Sequence, residues 1–573
     1  MEYKGNPVSH GIAIGEVYRY APFVPEIEEK TILPEAKEIA VEQYLNLREK
    51  AKAELTAIQE KLKTNDPDKA KIFAAHVEIL FDTAMNGEIQ DYISYDNMSP
   101  EWAIKKTYDK YIRLLSKSKD AQIRERTADL KDLRIRLHRI WLGVPKKNLS
   151  ILEKPVVVAA HDLLPSDTAT LDRTKVLAII TEIGGSTSHS AIIARSYEIP
   201  AILGIPDIMN QLKDGETVIV DAVEGSLFTQ PDEAQQNLYA EKRKDHLAYS
   251  AELKKYLHVQ PVTKDGTRIE VHLNIGSVTP EELAGSQYTD GVGLFRTEFM
   301  YMLSAGLPSE DEQFKQYRKA ALEFGERPLI LRTLDIGGDK QLESMELPRE
   351  DNPFLGLRAL RLCFERLSVF KTQLRAAFRA GCYGNVWIML PMVGSMDDIR
   401  TAKQIIGEVK EELEKEGVQY NPDVKIGIMI EIPAIALIAD MAAKEVDFAS
   451  LGTNDLCQYL TAVDRLNPHV SQYYQTYHPS MFRLIGQTAA AFHAAGKPIG
   501  VCGEMGGDPL TAAVLIGLGI RKLSMGIASV AGIKKLITGL TIPKAEELAE
   551  KVVTLSTADE VEAYVKRELE SLV

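Results

Sequence analysis

The stretch "DFASLGTNDLCQYLTAVDR", Asp447–Arg465, passes within a few residues from an apolar run to a polar turn and then to helical spacing. Phe448 to Leu451 reads as a short buried strand punctuated by Gly452, and Asn454, Asp455 and Arg465 follow it directly. Charge therefore collects where a strand ends. The same grammar recurs on both sides, in "RIEVHLNI" (268–275), "GVGLF" (291–295), "LILRTL" (329–334), "VWIMLP" (386–391), "KIGIMI" (425–430), "PIGVCG" (498–503) and "KLSMG" (522–526). With "DFASLG" these make eight β-rich runs, separated by segments mostly long enough for crossover helices. Eight such units predict a (β/α)8 barrel over residues 261–573, with its chemistry on the loops that follow the strands.

The strand ends carry a consistent set. Arg296 closes the second run, Arg332 and Asp335 the third, Glu431 the fifth, and Asn454, Asp455 and Arg465 the sixth; the seventh contains Cys502, with Glu504 beyond it. Any one of these charges reads equally well as half of a surface salt bridge. Together at one mouth, arginines beside carboxylates suit a small polyanion gripped by bidentate guanidinium contacts. Glu431 and Asp455 suit a hard divalent ion, and Mg²⁺ commonly takes one or two carboxylates with the remaining sites filled by substrate phosphate oxygens and water. Cys502 has two readings. It is either a small buried hydrophobe or, as a thiol with an ordinary pKa near 8.5, a group mostly protonated at neutral pH that can donate a proton to carbon.

Ahead of the barrel, "TEIGGSTSHSAIIARSYEIPA" (181–201) places His189 behind Gly184, Gly185, Ser186, Thr187 and Ser188, at the mouth of an apolar helical run. Glycines let backbone approach an anion, hydroxyls donate hydrogen bonds, and a helix N-terminus favours negative charge while keeping the ring neutral and nucleophilic. His189 reads as a residue that accepts and holds a phosphoryl group. No G-x-x-x-x-G-K-[ST] or G-x-G-x-x-G loop is present, so the donor is expected at the barrel mouth.

Strand-like runs "KPVVVAA", "KVLAIIT" and "ETVIVDA" surround this segment, and "GNPVSHGIAIGEVYRY" opens the chain with β-formers punctuated by glycine. Between them, "AVEQYLNLREKAKAELTAIQEKLK" and "RTADLKDLRIRLHRIWLG" repeat apolar residues at three and four positions. The expected organisation is multidomain α/β: a phosphohistidine α/β domain (1–33 plus 144–230) with an inserted helical bundle (34–143), a linker helix (231–260), and the TIM barrel. The linker is roughly 40 Å long if fully helical at about 1.5 Å per residue.

Lys plus Arg number 68 against 82 Asp plus Glu, a net charge of 68 − 82 = −14 that argues against a nucleic-acid-binding surface. Cys363, Cys382, Cys457 and Cys502 form no C-x-x-C pair, which fits reduced thiols in a cytoplasmic protein. No run of about 18 apolar residues predicts membrane insertion.

"GGSTSHSAIIAR", "GVGLFRTEFMYM", "LRTLDIGGDK", "DNPFLGLRALR", "GIMIEIPA", "SLGTNDLCQYLTAVDR" and "VCGEMGGDP" resemble the enzyme I family of the bacterial sugar phosphotransferase system, along essentially the whole chain. The resemblance implies that His189 takes a phosphoryl group from phosphoenolpyruvate through Nε2, releasing pyruvate, and passes it to a histidine of the phosphocarrier HPr. It implies that Arg296, Arg332 and Arg465 hold the donor with help from Asn454 and Asp455, that Glu431 and Asp455 bind Mg²⁺, and that Cys502 protonates the enolate. Arg358 enters as a phosphate contact. By the same resemblance the inserted helices dock HPr and the barrel carries a homodimer interface. Delivery from barrel to HPr then requires the histidine domain to swivel. Cys457 and Gly506 depart from the residues expected in many members. The rivals are a pyruvate phosphate dikinase or phosphoenolpyruvate synthase relative, which would add a nucleotide-binding domain ahead of the histidine, and a phosphoenolpyruvate-binding regulatory protein without turnover, which would dispense with His189 or a metal carboxylate.

Overall fold

The computed structural model describes residues 1–21, 27–65, 76–116, 121–144, 149, 152–163, 171–172, 174–184, 190–191, 194, 197, 199–303, 306–337, 345, 350–465, 467 and 469–571. The chain forms two compact units, one of Met1–Ala194 and Ile199–Gln236, the other built on Asn237–Val573. Among the described residues no helix is long and apolar enough to cross a membrane.

The first unit is built on a sheet of eight strands: β1 (Glu2–Lys4), β2 (Asn6–Ser9), β3 (Ile12–Tyr20), β4 (Val156–Ala160), β5 (Val176–Thr181), β6 (Ala201–Leu203), β7 (Thr217–Asp221) and β8 (Ser226–Thr229). Their order is β1-β8-β7-β3-β4-β5-β6-β2, and β3, β4, β5 and β6 run parallel at the centre. All five residues of β4, "VVVAA", are buried, as a strand covered on both faces requires. Between β3 and β4 lie the helices α1 (Lys37–Asn65), α2 (Thr83–Ser94), α3 (Pro100–Ser116) and α4 (Ala121–Trp141). Tyr44, Leu47, Ala51 and Leu55 of α1 recur at three- and four-residue spacing and pack with Ile89, Ile93, Ile104, Tyr108, Leu133 and Leu137 into one core. The charged segment after β8 forms α5 (Glu233–Lys254), which buries Tyr239 and ends in a 3₁₀ turn, so its α-helical part is about 33 Å long.

The second unit is a closed barrel of eight parallel strands: β9 (Glu270–Ile275), β10 (Val292–Arg296), β11 (Leu329–Arg332), β12 (Val386–Leu390), β13 (Lys425–Ile430), β14 (Phe448–Leu451), β15 (Ile499–Val501) and β16 (Lys522–Met525). Seven fall within one of the eight runs read from the sequence, and β10 runs one residue past its own, to Arg296. The seventh is shorter than its run, so that Cys502 stands just beyond β15. Strand residues alternate between two cores. One face packs against the surrounding helices, whereas Leu294, Ile330, Trp387, Met389, Met429, Phe448 and Cys502 fill the barrel interior.

The barrel closes where β16 pairs with β9, and there Lys522 lies opposite Glu270. Glu270 Oε2 is 3.1 Å from Lys522 Nζ and 2.9 Å from His272 Nε2. Burial alone would raise the Glu270 pKa, but these two partners outweigh it and bring the carboxyl from 4.5 to about 2. A depressed carboxyl contributes stability above its unfolded pKa and loses it as pH falls through the folded value. Glu270→Gln is therefore expected to reduce the stability lost by the barrel between pH 7 and pH 3. Urea unfolding at the two pH values checks this; an unchanged difference would contradict it.

Candidate active site

The C-terminal ends of the barrel strands bring the predicted residues to one mouth. Arg296 and Arg332 are the last residues of β10 and β11 and sit opposite each other in register. Arg296 forms no ion pair among the described residues. Arg332 is buried; its Nη2 donates to Glu298 Oε1 at 2.5 Å, and its Nη1 lies 2.8 Å from Asp335 Oδ2. Burial by itself would lower the Arg332 pKa, but the carboxylates of Glu298, Asp335 and Glu431 more than offset it and hold the guanidinium charged. A second network fixes the strand end. Thr297 Oγ1 donates to Arg332 O at 2.7 Å, Gln373 Nε2 donates to Thr297 Oγ1 at 3.0 Å, and Leu334 N donates to Gln373 Oε1 at 2.7 Å.

Asp335 also receives Arg358, whose Nη2 lies 2.9 Å from Asp335 Oδ1 and 3.3 Å from Asp455 Oδ2. Arg358 Nη1 donates to Tyr459 Oη at 3.1 Å, and that hydroxyl donates to Phe354 O at 2.6 Å. Arg465 Nη1 is 3.2 Å from Asp455 Oδ1, so both Asp455 oxygens face guanidinium groups. Glu431, just after β13, is buried, and its Oε1 accepts from Met392 N at 2.6 Å. Its pKa is raised by burial first, then by Asp455 and Asp335, with Arg332 and Arg358 pulling the other way. Gly452 leaves room for it: a Cβ there would stand 2.9 Å from Glu431 Oε2.

Non-glycine residues at this mouth adopt left-handed backbone, among them Ala359 with φ 50° beside Arg358 and Met392 with φ 53° against Glu431. Such conformations cost about 1–3 kcal/mol each and persist where surrounding contacts fix them. Here the contacts are Ala359 N to Ile336 O at 2.9 Å and Met392 N to Glu431.

Cys502 sits within this ring on the apolar layer of Met389 and Met429. Its thiol is pushed up to about 11, first by burial and also by Glu431, against the opposing effects of Ser450, Arg332 and Arg296. At neutral pH it is a protonated thiol rather than a thiolate nucleophile. Asn454 Oδ1 accepts from Glu504 N at 3.0 Å, which ties the turn after Cys502 to the start of the helix Thr453–Leu460 that follows β14. At Gly503 a Cβ would lie 1.9 Å from Thr453 Oγ1, so that turn excludes any larger residue.

The structure therefore gathers Arg296, Arg332, Glu431, Asn454, Asp455, Arg465 and Cys502, together with Arg358, at one mouth. His189 lies outside the described residues. Glu298, Tyr459 and Gln373 were not picked out from sequence. Glu298 was the detectable one, as a charged residue two positions beyond Arg296.

Residues 250–542 match the family described as PEP-utilising enzyme, PEP-binding domain; residues 152–225 match its mobile domain and 4–126 its N-terminal domain. A phosphoenolpyruvate-protein phosphotransferase of Bacillus subtilis is 42% identical over 569 residues, 99% of each chain. That of Geobacillus stearothermophilus is 42% identical over 98% of this chain and 97% of its own, and that of Listeria monocytogenes 42% over 99% of each. The chain belongs to the phosphoenolpyruvate-protein phosphotransferase family. A solution structure of an enzyme I protein is also similar, with 36% identity over 43% of this chain and 99% of that one and a TM-score of 0.37. Of the two departures from the phosphotransferase pattern, Cys457 is buried, with its thiol pushed up to about 11 chiefly by that burial. At Gly506 a Cβ would stand 3.1 Å from Ser524 O, a tight fit that favours a small residue.

Proposed function

We propose that this chain transfers the phosphoryl group of phosphoenolpyruvate to its own His189 and then to a histidine of HPr, the first step of sugar phosphotransferase uptake. The observation that carries this reading is the mouth itself, where four arginines, four buried carboxylates and one protonated thiol converge on a space suited to a small polyanion with a carbon to protonate.

In this reading Arg296, Arg332, Arg358 and Arg465 grip the phosphate and carboxylate of the donor, and Asn454 assists. The bridging P–O bond breaks as a P–N bond forms at His189 Nε2, and the enolate left behind takes the Cys502 proton at its terminal carbon to become pyruvate. The thiolate recovers its proton from solvent, and the P–N bond at His189 breaks as a new P–N bond forms at the HPr histidine, which returns His189 to its starting state.

The carboxylates fit Mg²⁺. Glu431 is pushed toward its neutral form by burial and by the charges of Asp455 and Asp335, a crowding that a cation would relieve. Glu431 and Asp455 would hold the ion through hard oxygen donors. Among the described residues no cluster of three or more His, Cys, Asp or Glu forms a complete cage, in keeping with an ion completed by substrate oxygens and water. When bound, Mg²⁺ neutralises phosphate charge during transfer. The family assignment supports a cytoplasmic enzyme with HPr docking on α1–α4 and a homodimer formed through the barrel. The exposed Leu437 and Met441 supply apolar barrel surface for such a contact.

Rapid-quench measurement of pyruvate tests the two half-reactions. Full-length protein with phosphoenolpyruvate and Mg²⁺ is expected to release about one pyruvate per active chain and stop, and to turn over continuously once HPr is added. Continuous release without HPr, or none with it, would overturn the proposal.

A further inference from the structure

Cys502 stands one residue past the end of β15, whose ladder to β16 ends at the pair Val501–Leu523. Its backbone is held by other strands. Cys502 N donates to Leu451 O of β14 at 3.1 Å. On the other side, Asn274 Nδ2 of β9 donates to Cys502 O at 2.9 Å, between residues 228 positions apart in the chain. Asn274 Oδ1 lies 2.5 Å from Ser524 Oγ of β16, and that hydroxyl is also 3.0 Å from Leu273 O, so its single proton serves one of the two. Turning the amide over would place Asn274 Oδ1 against the Cys502 carbonyl, oxygen against oxygen. The orientation in the structure is the one that gives that carbonyl a donor.

Resting on the reading of Cys502 as the proton donor, we infer that Asn274 is a positioning residue for it. The Asn274 amide fixes the Cys502 carbonyl while Asn454 fixes Glu504 two residues on, so the turn is clamped at both ends; the thiol, whose Sγ lies 3.6 Å from Leu451 O, is thereby presented to the enolate from one side. The clamp therefore sets the face on which carbon is protonated. Asn274 does this without being ionised, and its amide bonds Cys502 and Ser524 rather than the arginines and carboxylates of the mouth.

The test is the stereochemistry of the product methyl group. Phosphoenolpyruvate carrying deuterium at one vinyl position is reacted with stoichiometric full-length enzyme and Mg²⁺ in tritiated water, and pyruvate is trapped at once as lactate. The wild type, reprotonated at sulfur from solvent, is expected to yield a chiral methyl group of one hand. Cys502→Ala should yield a racemic one. Asn274→Ala, and separately the near-isosteric Asn274→Asp, are expected to lower kcat about 10- to 100-fold, with KM within a few-fold, and to erode the chirality. Ser524→Ala, which removes the hydroxyl beside the amide, should erode it less. Full chirality and wild-type kcat in both Asn274 variants would overturn the assignment of Asn274 alone. A racemic product from the wild type, or a chiral one from Cys502→Ala, would instead overturn the proton-donor reading on which it rests.

Discussion

Arg332→Met is expected to lower kcat/KM for phosphoenolpyruvate by about 10³-fold or more. Removing a single preorganised donor to developing charge costs about 10²–10³ in rate, and a bidentate guanidinium also contributes to ground-state binding. Its neighbours make the loss larger. Glu298 and Asp335 are both buried and ion-paired to Arg332, and removing one partner of such a pair typically costs about 3–5 kcal/mol of stability. The effect on catalysis is separated from the effect on folding by assaying well below the melting temperature, with circular dichroism confirming the folded state. Arg332→Lys keeps the charge but loses the planar fork, so it should fall between the two. A folded Arg332→Met enzyme within tenfold of wild type would contradict the role given to this residue.

Cys502→Ala is expected to behave differently. General acid catalysis contributes about 10²–10⁴, so kcat should fall by that factor while affinity for phosphoenolpyruvate changes only a few-fold. Stability should change little, because the side chain sits on an apolar layer and alanine leaves no buried charge behind. The pH profile gives a second check. Because burial raises the thiol to about 11, the donor stays protonated from pH 6 to pH 9, and wild-type kcat should show no alkaline decline from this group within that range. An alkaline limb near the ordinary thiol value of about 8.5 that disappears in Cys502→Ala would contradict the buried, protonated thiol.

The barrel was legible because each strand is a short apolar run bounded by turn residues, and because Arg296, Arg332, Glu431 and Asp455 stand at the ends of those runs. The sheet of the first unit was less so. β6 and β8 have three and four residues, too few to show a period. The contacts that hold the site were hidden for another reason. Arg358 follows the 3₁₀ turn Pro353–Leu355 rather than a strand end, and only the family resemblance singled it out. Its partner Tyr459 is 101 residues away, and Gln373 reaches Thr297 across 76. Pairings of that kind come from barrel closure and leave no local pattern. Glu298 was visible as a charge beyond β10, but its burial against Arg332 was not. The glycine-rich segment before His189 carried its reading through composition and position alone.

The central claim is that phosphoenolpyruvate phosphorylates His189. Its most direct test is the intact mass of the full-length protein after incubation with phosphoenolpyruvate and Mg²⁺, compared with His189→Ala and read at neutral and acidic pH. The account predicts one phosphoryl adduct per chain on the wild type, stable at neutral pH, lost in acid and absent from the variant. An unmodified wild type that still binds phosphoenolpyruvate, or an adduct that persists in His189→Ala, would contradict it.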